Sequence, residues 1–115
     1  MRQKSRVVAS QVYRCTESFP KSELYGLTSQ IRRASVSVAS NIVEGQGRLT
    51  KGEFQQFLGH ARGSLLELET QLAIAVDLKY LSENEFALVE SQISEVSRLL
   101  NGLGPLRGGI KALSA

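Results

Sequence analysis

A chain of 115 residues with 14 Lys plus Arg against 11 Asp plus Glu, one His, one Cys and no Trp is the size of a single domain, which excludes a two-domain enzyme. Folding at this length buries roughly two-thirds of the unfolded surface, enough for one core without staples. Cys15 has no second cysteine to pair with, and neither a charged-then-apolar leader nor a long uncharged apolar run is present, so a reduced, cytoplasmic protein with no membrane span is expected.

Pro20 and Pro105 bracket a long stretch without an obligate breaker, and apolar spacings of three and four run through it. Helix one is predicted over about 2–18, with Val8, Val12, Cys15 and Phe19 as its seam and Cys15 as a small buried residue rather than a nucleophile. Helix two, about 22–45, carries Leu24, Leu27, Ile31, Ala34, Val38, Ile42 and Gly45 on one face. Gly45-Gln46-Gly47 is expected to close it through a left-handed glycine.

Helix three, about 51–78, opens with a capping box, Thr50-Lys51-Gly52-Glu53, and a hydrophobic staple of Leu49 on Phe54. Its seam runs through Phe54, Phe57, Leu58, Ala61, Leu65, Leu68, Leu72 and Ala75. Helix four, about 83–102, repeats the device with Ser82-Glu83-Asn84-Glu85 and a Leu81–Phe86 staple, then Val89, Ile93, Val96, Leu100 and Leu103. Four single-seamed helices on short connections predict an all-α, antiparallel up-down-up-down four-helix bundle over 1–104. Residues 105–115, with Gly108-Gly109, are expected to be a flexible tail.

A monomeric bundle needs one apolar stripe per helix, so apolar residues on the opposite side require another reason. Tyr25, Ser29, Arg32, Val36, Ser40 and Val43 fall on the outer side of helix two, and Gly52, Gln56, Gly59, Gly63 and Thr70 on that of helix three, with Leu66 at its flank. A mid-helix glycine costs about 1 kcal/mol relative to alanine. Gly59 and Gly63 therefore point to a second helix backbone approaching closely. With Tyr25, Val36 and Val43 they form the candidate interface of a homo-oligomer, against the plainer reading of tolerated surface residues.

Several segments together carry a family resemblance. Phe19-Pro20-Lys21-Ser22-Glu23, Tyr25-Gly26-Leu27-Thr28-Ser29-Gln30, Arg33-Ala34, Ser37, Asn41-Ile42-Val43-Glu44-Gly45 with Arg48, Phe57-Leu58, Ala61-Arg62-Gly63-Ser64 and Glu67-Leu68-Glu69 resemble the four-helix-bundle proteins encoded in intervening sequences of bacterial 23S ribosomal RNA genes. The likeness spans nearly the whole chain. It implies an antiparallel bundle, a bacterial cytoplasmic setting and ring-like homo-oligomers, often pentamers, with no implied catalytic reaction. A more distant similarity is to the accessory proteins of diversity-generating retroelements, basic pentameric bundles that work with reverse transcriptase and nucleic acid. The Leu-x-Val-Trp entry usual in the intervening-sequence family is absent from this chain, so a short helix one is expected.

The chemistry points away from catalysis. A di-metal bundle site needs Glu-x-x-His on two helices, and His60 has only Gln56 and Gly63 on its side. No haem motif, nucleotide loop or triad is legible, and no cofactor is expected. Asn41, Glu44, Arg48 and Arg62 are expected to form a structural polar network at the helix two–three corner.

The charge is polarised, with ten basic and four acidic side chains in residues 1–62 against four basic and seven acidic in residues 63–115. Arg32, Arg33, Arg48, Lys51 and Arg62, with Arg2, Lys4 and Arg6, are the candidate contacts to RNA or another nucleic acid, and a ring would multiply weak contacts. With Tyr13, Tyr25 and Tyr80 scattered in sequence, phosphate contact of low specificity is expected rather than base readout. The alternative is a protein–protein assembly or adaptor module with no nucleic-acid partner.

Overall fold

The structure, a computed structural model, describes residues 1–103. It contains α1 (Arg2–Thr16), a 3-10 turn (Lys21–Glu23), α2 (Leu27–Gln46), α3 (Lys51–Asp77) and α4 (Glu83–Asn101), with no strand among the described residues. The expected tail, 105–115, lies outside the described residues. No helix among the described residues is long and apolar enough to cross a membrane.

Each helix buries its seam against two neighbours. α2 packs on α1 and α3, and α4 packs on α1 and α3, most extensively along α2–α3. Val8, Val12, Ile31, Val38, Ile42, Leu58, Leu68, Leu72, Val89, Ile93, Val96 and Leu100 are fully enclosed. Polar contacts then pin helix ends together: Arg2 at the start of α1 donates to Gln46 at the end of α2, and Lys4 Nζ donates to Glu95 Oε2 on α4 at 2.8 Å. The Lys4–Glu95 pair is about half exposed and so adds orientation more than stability.

Helix starts differ in how they are capped. Ser82 and Glu85 form the complete reciprocal capping box, with Leu81 buried and Phe86 packed on the core. At α3 only half forms: Thr50 Oγ1 accepts from the Glu53 amide at 3.2 Å, without the return bond. Leu49 is fully exposed, so the expected staple onto Phe54 is not made.

Helix two begins later than its seam suggested. After the 3-10 turn, α2 starts at Leu27, and Leu24 points out to solvent instead of joining the core. Glu23 is the reason. Its Oε1 accepts from the Leu27 amide at 3.1 Å, satisfying an orphan donor of the helix start. Its Oε2 accepts from the Tyr80 hydroxyl at 3.1 Å, on the α3–α4 connection. That bond to the carboxylate also raises the Tyr80 pKa. Phe19 packs on the same ring, centroids 5.6 Å apart.

The glycines act through space rather than through backbone handedness. Gly47 ends α2 with φ −89°, not left-handed, and no described glycine has positive φ. A Cβ on buried Gly45 would sit 3.1 Å from the Phe57 Cβ, so this glycine admits the first turns of α3. Lys79, with φ 66°, is the left-handed residue that turns the chain after α3. At the end of α4, Leu103 is exposed, and the seam stops at Leu100.

Cys15 is buried and its thiol is pushed up to about 11, by desolvation first and by the Glu85 charge second. It is therefore an inert thiol, as its place on the seam implied.

Between α3 and α4, Glu90 is pushed up to about 7, chiefly by a hydrogen bond with Glu69, then by burial and by the Glu69 charge. The raised folded-state pKa means that this pair's stabilisation is complete below the ordinary glutamate value of about 4.3 and is lost as pH rises through 7. Melting temperatures measured from pH 4 to 8 should fall more for the wild type than for Glu90→Gln, which keeps a hydrogen-bonding neutral side chain. Parallel pH profiles for the two proteins would contradict this.

Candidate nucleic-acid interface

The five nominated cations do not share one surface. Arg33 and Glu44, the partner of Arg48, stand about 17 Å apart along α2 at the usual helical rise. Arg48 Nη2 donates to Glu44 Oε1 at 2.9 Å, and its guanidinium lies 4.5 Å from the Phe57 ring centroid. Lys51 is exposed on the first turn of α3. Arg62 is half-buried and turned towards α4, where it donates to the Leu100 carbonyl at 2.8 Å and to Asn101 Oδ1 at 3.3 Å. It thus satisfies a carbonyl at the end of α4, the terminus where a cation is favoured.

The expected four-residue network is therefore split. Glu44 and Arg48 pair with each other, Arg62 serves α4, and Asn41 turns inward along α2. Asn41 Nδ2 donates to the Ser37 carbonyl at 2.8 Å and to Ser37 Oγ at 3.0 Å. Ser37 Oγ in turn shares a 2.9 Å hydrogen bond with Ser64 Oγ across the α2–α3 seam. Spacing alone suggested that Asn41 and Arg62 meet, but Arg62 leaves α3 on the side facing α4.

Arg32 and Arg33 have a different setting. Neither has a carboxylate within ion-pair distance among the described residues. Arg32 Nε donates to Thr16 Oγ1 at 2.8 Å, and its guanidinium lies 4.6 Å from the Tyr13 ring centroid, a cation–π arrangement. Among the described residues Arg33 Nη2 donates only to Ser29 Oγ, at 3.2 Å. Together with Tyr13, Leu24, Tyr25 and Val36 they line an open groove where the end of α1 meets the start of α2. Tyr25 is 93% exposed.

This grouping was invisible in the sequence. Tyr25, Ser29, Arg32 and Val36 are readable as one helical side, but Tyr13 joins them only through the register of α1 against α2. Leu24 joins them because α2 starts late. Two of the nominated interface residues, Tyr25 and Val36, thus stand beside the arginines nominated for nucleic acid.

The other interface residues lie further along. Val43 is exposed on α2, and Gly59 and Gly63 on the outer side of α3 meet nothing within 4 Å where a Cβ would stand. No contact among the described residues accounts for either glycine. Leu66, on the same side, is 66% exposed. Among the described residues no group of three or more His, Cys, Asp or Glu side chains is placed to hold a metal ion.

A model of the 23S rRNA-intervening sequence protein family matches residues 1–102. The chain belongs to this family. The 23S rRNA-intervening sequence fold is also found in a solved structure, a protein of unknown function from the S23 ribosomal protein family of Bacteroides thetaiotaomicron VPI-5482. The two align with a TM-score of 0.83 at 19% identity, over 90% of this chain and 96% of that one, a likeness that speaks for the fold. No curated protein matches the sequence.

Arg62 gives a direct check on the α3–α4 assignment. Arg62→Ala leaves the Leu100 carbonyl without its charged donor and should cost about 1–2 kcal/mol in urea unfolding. An unchanged midpoint would show that the bond adds nothing.

Proposed function

We propose that this chain is a non-enzymatic, cytoplasmic protein, an up-down-up-down bundle that assembles into a ring of copies and binds RNA with low sequence specificity through basic side chains of its first half. The observation that carries the RNA reading is the adjacent pair Arg32 and Arg33, held at a groove without a carboxylate partner among the described residues. Unpaired guanidinium groups release counterions when they meet phosphates, which favours polyanions without demanding a sequence. Membership of a family described by an intervening sequence of 23S rRNA makes RNA the first polyanion to test.

Self-assembly rests on the other face. Gly59 and Gly63 carry the helix cost of glycine while the space above them stays open, as a close-packed second backbone requires. Leu66, one turn on from Gly63 and 66% exposed, would be covered by the same contact. A ring, five-membered as the family resemblance implies, would repeat the Arg32–Arg33 groove on every subunit and raise avidity.

Two measurements bear on this reading. Anisotropy of a fluorescent structured RNA, titrated with nuclease-treated protein, should show binding that weakens steeply with salt; no binding at low salt would leave an adaptor module with a protein partner. Gly63→Leu should keep its helical circular dichroism while light scattering reports a fall to monomer. A wild-type mass for that variant would remove α3 from the interface.

A further inference from the structure

The groove at the α1–α2 end holds more than positive charge. Tyr25 projects its ring almost wholly into solvent from the turn that precedes α2. Its neighbours in the groove are Arg33, whose only side-chain hydrogen bond among the described residues is to Ser29, and Arg32, whose guanidinium is already oriented by Thr16 and the Tyr13 ring. Thr28 closes the groove beneath them, with only 3% of its surface exposed. The groove measures about 440 Å³, within the range of sites that hold small ligands.

We propose that this groove is a nucleotide-stacking site that selects single-stranded RNA over duplex RNA. The inference rests on the RNA reading above and assigns it a place and a preference. Tyr25 stacks on an unpaired base, which any base can satisfy because each presents a π-face. Bases inside a duplex are already stacked on their neighbours, so the ring finds no face there. Arg33 and Arg32 hold the flanking phosphates. Glu67 lines the adjoining hollow with Tyr25 and Arg33, and Glu17 the one with Leu24 and Arg32, but neither carboxylate comes within ion-pair distance of these arginines among the described residues. The charge of the groove therefore suits a polyanion better than a basic surface of another copy.

The test compares the full chain with Tyr25→Ala, Tyr25→Phe, Arg33→Gln and, as a control remote from the groove and outside the basic first half, Arg98→Gln. Affinities are read by anisotropy at one fixed salt concentration for labelled oligo(U) of about 12 nucleotides and a duplex RNA of matched length. The wild type should prefer oligo(U) to the duplex. Tyr25→Ala should weaken oligo(U) about tenfold with the duplex unchanged, and Tyr25→Phe should retain it. Circular dichroism and light scattering check fold and assembly for each variant.

If the wild type binds RNA but Tyr25→Ala binds oligo(U) as well as it does, or the wild type prefers the duplex, the groove is not the site and the RNA reading stands without it. If the wild type binds neither RNA, both fall. If Tyr25→Ala alters the assembled mass while each subunit binds oligo(U) normally, the groove is a contact between copies and the proposal is overturned.

Discussion

How closely α2 can approach α3 governs the remainder of the bundle, because this is the most extensive helix pair. Gly45 sets the approach at one end: with no side chain of its own, it receives Phe57 at a distance a methyl group would contest. Midway, the Ser37–Ser64 hydroxyl pair spans the seam and Asn41 steadies Ser37. Small and polar residues on this seam let the larger seam residues, Ile31, Val38, Ile42, Leu58, Leu68 and Leu72, turn into a shared core. α1 and α4 then close the remaining sides with seams of ordinary size.

The bundle was legible because its signals are local. Seam spacing located every helix, and the Ser82–Glu85 box fixed the start of α4 because both of its bonds lie within four residues. What was not legible depends on partners far away in sequence. Leu24 fits the helix-two seam by spacing, yet the helix starts after it because Glu23 caps Leu27 while holding Tyr80 from the other side of the molecule. Leu49 sits at a staple position by numbering, but the chain leaves Gly47 in a direction that carries it into solvent. Gly47 itself had the residue type for a left-handed turn without needing to make one.

The same limit applied to the site. A helical wheel places Arg62 at the flank of the α3 seam, and only the position of α4 decides that it bonds Leu100 rather than Asn41. Tyrosines distant in sequence count as scattered until the register of α1 on α2 sets Tyr13 beside Arg32. The four nominated arginines thus occupy three separate settings: a paired one at the α2–α3 corner, a half-buried one serving α4, and the Arg32–Arg33 groove. Net charge by halves could not distinguish them.

The buried thiol of Cys15 gives the molecule an internal reporter. Its side chain is enclosed at the last turn of α1, and its proton is held too tightly for thiolate chemistry near neutrality. A thiol reagent can therefore attack it only in molecules whose first helix has momentarily lifted from α2 and α4. Labelling rates then count those openings directly, without any engineered probe. Any ligand or neighbouring copy that clamps the first helix down would register as a slower clock on the same atom.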